Sequence, residues 1–107
     1  MKKSLRILEA VANRDLPDII AYHQPKSEAK AVRILAEYDR FVELINRNPE
    51  VAHTRGHGWK VIAVQSGPYL LYYRDFESFW LVAGVFHAMR DPDWIQAQLL
   101  IREIGNI

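Results

Sequence analysis

The chain has 107 residues, half of them hydrophobic and a quarter charged, with a formal net charge of +1 and no cysteine. That length builds one core and one domain, 1–107, and the composition excludes a disordered chain. Without cysteine there is no disulfide, thiol nucleophile or thiolate metal site, and a charge balance this even is thin for a protein that grips many phosphates.

The N-terminus, Met1-Lys2-Lys3, is basic, but Arg6 and Glu9 interrupt the stretch behind it, so no signal peptide is expected. No apolar run approaches the ~18 residues of a membrane span, and a cytoplasmic location without membrane contact is expected. Leu5-Arg6-Ile7-Leu8 reads as a short strand. From Ala12 to Tyr22 the apolar residues Ala12, Leu16, Ile19 and Ile20 follow one helical face. Pro17 sits inside that pattern, so it either kinks a longer helix or starts a shorter one with Asp15 as N-cap. After the break "HQPKS", Ala31, Leu35, Tyr38, Val42 and Ile45 repeat at 4, 3, 4, 3, widened by Ile34, Phe41 and Leu44. Charged residues, Glu37 among them, lie away from the centre of that stripe. Ser27 is the expected N-cap and Pro49 ends the helix. Two helices joined so closely predict a helical hairpin.

The second half changes period. Trp59–Val64, Tyr69–Arg74 and Phe79–His87 are strand-like, and the links between them, Gln65–Pro68 and Asp75–Ser78, are short and rich in turn formers. Such links predict an antiparallel meander. Asp91-Pro92 then supplies an N-cap and a first helical residue, and Gly105 stops the last helix. Trp94, Ala97, Ile101 and Ile104 form its apolar stripe. The predicted fold is α+β: a small antiparallel sheet, an N-terminal helical hairpin packed on one face, and a C-terminal helix.

The longest apolar run, Trp80 to Phe86, ends in "VFHAMRD", which brings His87, Arg90 and Asp91 within five positions. Strand alternation places His87 on a face with Val85, Ala83, Leu81 and Phe79. One reading makes this a structural seam: Asp91 caps the last helix, Arg90 pairs with a carboxylate, and His87 hydrogen-bonds at the strand end. The other makes His87 a general acid, with Arg90 and Arg74 beside a reacting phosphodiester. Tyr69, Leu71 and Tyr73 alternate with Leu70, Tyr72 and Arg74, and both sets are largely apolar, so both sheet faces are expected to be covered. His53 and His57 have a His-x-x-x-His spacing, but Gly56 and Gly58 place them in a loop with no evident third ligand, and neither metal nor cofactor is expected.

Four motifs in order carry a resemblance. They are Ala12, Asp15, Leu16, Ile19 and Tyr22 in "ANRDLPDIIAYH"; the helix end "NRNPE"; Gly67, Tyr69, Tyr73 and Arg74 in "GPYLLYYR"; and Val85, His87, Arg90 and Asp91 in "VFHAMRD". From Leu5 to Asp91 the chain resembles the ParE/RelE superfamily of toxins from bacterial toxin–antitoxin pairs, in particular the ParE (plasmid stabilisation) branch. It departs from the family in Pro17, in the His-rich loop "VAHTRGHG", in its low charge, and in a longer, more apolar last helix. The resemblance implies a toxin that inhibits DNA gyrase by binding and is neutralised, in a hetero-oligomer, by a cognate antitoxin. Tyr72, Arg74, Trp94 and Ile101 are the expected partner contacts. The RelE side of the superfamily implies instead a metal-independent, ribosome-dependent mRNA endoribonuclease, for which Arg74, His87 and Arg90 are the candidate catalytic residues. A member that keeps the fold but has lost toxicity is the third expectation.

Overall fold

The structure, a computed structural model, describes residues 3–106. Four strands, β1 (Ser4–Ile7), β2 (Lys60–Val64), β3 (Tyr69–Asp75) and β4 (Phe79–His87), form one sheet in the order β1-β4-β3-β2. Three helices accompany it: α1 (Leu16–His23), α2 (Glu28–Arg47) and α3 (Pro92–Asn106). β2, β3 and β4 make the expected meander, but β1 runs parallel to β4, so the sheet is mixed and not antiparallel. Short links force antiparallel neighbours, whereas the partner of β1 arrives only after two helices and two strands, and periodicity says nothing of its direction.

Pro17 is accommodated by a widened turn. Val11–Asp15 forms a π-helical turn, closed where the Leu16 amide donates to the Val11 carbonyl, and α1 continues from it with Pro17 in its first turn. In a regular α-helix the proline ring would meet the carbonyl four residues back; the wider turn displaces that carbonyl. α2 is capped as expected, with Ser27 Oγ accepting from the Lys30 amide at 3.2 Å. Glu37 corrects the expected polar face. It is buried, and its carboxylate accepts from the Gln65 amide at 2.8 Å, the Ser66 amide at 2.7 Å and the Ser66 hydroxyl, fixing the β2–β3 turn. Burial pushes its carboxyl up, but these donors outweigh that effect and its pKa lies below the ordinary value.

Opposite β3, β4 carries one extra residue. Tyr72 pairs with Gly84 but Tyr73 pairs with Val82, so Ala83 is the residue of a β-bulge. The bulge reverses the alternation that a regular strand would keep. Trp80, Val82 and Val85 join the core cluster of Val11, Ile19, Ile34, Tyr38 and Ile45. Leu81, Ala83 and Phe86 join the second cluster, with Trp59, Tyr72, Ile95 and Leu99. Val85 therefore does not share a face with Ala83 and Leu81, as unbroken alternation predicts. Both faces of the sheet are covered, and α3 supplies the second cover.

α3 turns to the sheet a side other than the stripe of Trp94, Ala97, Ile101 and Ile104. Ile95 and Leu99 are buried, while Leu100, Ile101 and Ile104 are 56%, 61% and 63% exposed. The helix is apolar around more than half its circumference, so spacing alone cannot choose a face. The choice is made by Arg102, a residue that charge alone would send outward. Its guanidinium forms two hydrogen bonds to Asp15, at 2.7 and 2.8 Å, and a third to the Ala83 carbonyl at 2.9 Å. Asp15 also accepts the Val85 amide at 3.0 Å. Asp15 is thus no N-cap: its carboxylate makes no capping bond and is 5% exposed beside an Arg102 side chain at 8%.

Removing one member of such a pair strands a buried charge, at a cost of about 3–5 kcal/mol against a domain stability of about 5–15 kcal/mol. Arg102→Met should therefore remove a large share of that stability and lower the urea midpoint markedly. Combined with Asp15→Leu it should cost less than the two single changes added together, a coupling that urea denaturation would measure. Simple additivity would mean that the pair is incidental.

Candidate functional site

The end of β4 and the start of α3 hold the seam singled out in the sequence. Asp91 Oδ1 accepts the Asp93 amide at 2.9 Å and its carbonyl accepts the Ile95 amide at 3.0 Å, so Asp91 caps α3. His87 Nδ1 accepts the Met89 amide at 3.0 Å. Arg90 makes no ion pair among the described residues; its guanidinium lies over the Trp94 ring, 4.3 Å from the centroid. The expected carboxylate partner is replaced by an aromatic one.

Around the seam opens a cleft of about 660 Å³, lined by the end of the π-turn, α1, the first turn of α2, the start of β3, the end of β4 and the side of α3 that carries Trp94, Gln98 and Arg102. His23 is buried in its wall and shares a 2.7 Å hydrogen bond with the Tyr69 hydroxyl. The Tyr69 ring stands edge-on between His23 and His87, with centroids 5.7 and 5.5 Å away. Burial lowers the His23 pKa, helped by the positive charges of Lys30 and Lys26 and by His87. Burial likewise raises the Tyr69 phenol, with Tyr22 adding to it. Both shifts favour the uncharged forms of the His23 imidazole and the Tyr69 phenol. Sequence reasoning misses His23, because its position in "AYHQP" looks like a helix end; only the register of β3 brings Tyr69 to it.

Arg74 is elsewhere. It pairs with Leu81, whereas His87 pairs with Tyr69, so five residues of strand, about 17 Å, separate them. Arg74 ion-pairs with Glu103 of α3 at 3.4 Å and lies against the Trp59 and Phe76 rings, at 5.3 and 5.8 Å. It borders a second hollow, of about 370 Å³, with His57, Trp59, Ala97 and Leu100. The candidates Arg74, His87 and Arg90 therefore do not converge on one point. Of the expected partner contacts, Trp94 and Ile101 are exposed, Arg74 is half-buried, and Tyr72 lies beneath α3, where burial raises its phenol pKa. His53 and His57 are exposed on the loop, and no group of three potential metal ligands occurs among the described residues.

The lowered His23 pKa has a sign. The folded chain resists a proton that the unfolded chain accepts, so this contribution is fully present above the ordinary value of 6.5 and is lost as pH falls through the lowered one. The urea midpoint should fall between about pH 7.5 and about pH 5.5, and fall less in His23→Gln, which can keep a bond to Tyr69. Equal falls in the two proteins would remove His23 as the cause.

No helix among the described residues is long and apolar enough to cross a membrane. No curated protein matches the chain closely enough to count as a relative. A family model does match, that of the ParE toxin of type II toxin-antitoxin system, parDE, over residues 7–92. The match runs from the end of β1 through the "VFHAMRD" seam, stops at the first residue of α3, and covers most of the chain. The α+β fold, the seam and this match together place the chain in the ParE toxin family, as the toxin half of a type II toxin–antitoxin pair whose other half is a cognate antitoxin.

Proposed function

We propose that this toxin acts in the cytoplasm by binding DNA gyrase, without hydrolytic chemistry of its own, until its antitoxin masks it. The observation that carries this reading is the separation of Arg74 from His87 and Arg90 by about 17 Å of strand. Metal-independent RNA cleavage needs a base, an acid and cationic donors around one phosphodiester. Here the third group is held at the other end of the sheet by Glu103. What the surface offers a protein partner is apolar. Leu100, Ile101 and Ile104 form an outward stripe on α3, and Trp94 stands at the start of that helix. An amphipathic antitoxin segment laid on such a stripe would bury it in a hetero-oligomer. Trp94, Ile101 and the bordering Arg74 are the contacts we assign to it; Tyr72 would take part only with α3 lifted.

The ribosome-dependent endoribonuclease is the second reading, and one observation favours it: His87 and Arg90 line the same cleft as His23. The third is a chain that keeps the antitoxin interface without toxicity. Brief induction in a bacterial host separates all three. On the leading reading, thymidine incorporation falls before methionine incorporation, and the purified protein blocks gyrase supercoiling. The His87→Ala, Arg90→Ala double variant should inhibit within about two-fold of the parent, because neither change removes a buried core contact. Methionine incorporation falling first, with new mRNA ends that vanish in the double variant, would establish the ribonuclease. No growth defect at all would leave the non-toxic member. Ile101→Asp with Ile104→Asp should preserve folding and weaken antitoxin capture by at least about ten-fold, as loss of a central apolar anchor does.

A further inference from the structure

The chain as a whole has 14 Lys and Arg against 13 Asp and Glu. The cleft beside His87 departs from that balance. Its lining holds Arg14, Lys30, Arg90 and Arg102 against Asp15 and Asp18. Arg102 and Asp15 neutralise each other, and Arg14, Lys30 and Arg90 make no ion pair among the described residues. Lys30 also stands in the first turn of α2, where the helix dipole disfavours a cation. Unpaired cations facing one concavity concentrate anions there.

Shape and rim chemistry narrow the class of anion. At about 660 Å³ the cleft falls within the ~300–1,000 Å³ typical of small-ligand sites. Its floor is apolar, with Ile19, Val85 and Phe86, and exposed aromatic rings stand in its lining, Tyr22 and Trp94. Arg102, whose Nε is a buried side-chain nitrogen without a partner, is also part of that lining. Cationic donors beside an apolar floor and aromatic faces suit a ligand with phosphates at one end and a planar ring at the other. We propose that this cleft binds a nucleotide, with Arg14 and Lys30 holding its phosphates and the aromatic rim meeting its base. A free mononucleotide and a single-stranded nucleic acid share that chemistry. The assignment does not rest on gyrase as the target.

The test uses the full chain at low ionic strength, titrated separately with ATP, pyrophosphate, adenosine and a short single-stranded oligonucleotide, followed by calorimetry and tryptophan emission. ATP should bind saturably at one site, pyrophosphate more weakly, and adenosine not measurably. Arg14→Ala with Lys30→Ala should weaken ATP by at least about ten-fold, whereas Arg40→Ala with Arg47→Ala, on exposed α2 positions outside the cleft, should change it by less than about two-fold. Oligonucleotide binding that ATP displaces would identify nucleic acid as the source of the phosphate; ATP binding without it would identify a free nucleotide. Both sustain the site. No saturable binding of any probe, adenosine binding as tightly as ATP, or equal losses in the two double variants would overturn it. The double variants should also keep the parent's urea midpoint, so that lost binding is not lost folding.

Discussion

The buried pair of Asp15 and Arg102 is the constraint on which the arrangement of the other elements depends. β4 sits inside the sheet, but its neighbour β1 ends at Ile7, with a last bond from the Leu8 amide to the Val82 carbonyl. Beyond that point the Ala83 carbonyl and the Val85 amide are left without a strand partner on that edge. Asp15 accepts from the amide and Arg102 donates to the carbonyl, so two charged side chains complete a strand edge that backbone leaves open. Neither charge would be stable there alone. Together they tie the π-turn, the bulge and α3, three segments remote in sequence, to one point.

That tie also shapes the cleft. The bulge at Ala83 sends Val85 toward α1 and brings the His87 ring against Tyr69, beneath which lies His23. Because Asp15 is already neutralised, the cations that line the cleft face only Asp18 as an opposing carboxylate. The far end of the sheet has the reverse character: Arg74 is paired with Glu103 and held between aromatic rings. The two ends of β3 and β4 thus carry different electrostatics although both lie beside α3.

Much of this is legible in the sequence, and the remainder is hidden for physical causes. Ser27, the 4-3-4-3 stripe of α2, the three meander strands and the Asp91 cap are local signals, and each stands where its pattern places it. The parallel pairing of β1 is hidden because it is decided across the whole helical excursion. Taken alone, Glu37 suggests an outward-facing residue and Asp15 a cap, because a lone carboxylate belongs in water. Each is buried because amides or a guanidinium from distant segments meet it. Parity along β4 fails at one residue, since nothing in "LVAGVF" announces that Ala83 is unpaired. The seam at "VFHAMRD" is visible, but its proximity to His23 depends on strand register, which lies beyond local reading.

The same pair bears on what α3 can be. A helix that only docked on a target could be removed without harm to the rest, but α3 contributes Ile95 and Leu99 to the second core cluster and Arg102 to the bulge. The side that carries Ile95 and Leu99 is therefore structural, while Leu100, Ile101 and Ile104 stand exposed on the outer side. The recognised family region ends where this helix begins. A chain that adds such a helix covers one sheet face with its own residues and moves the apolar ground available to a partner outward by one layer. Whatever binds this toxin on that side meets a helix surface rather than a bare sheet, and Tyr72 of β3 beneath it packs in support of α3.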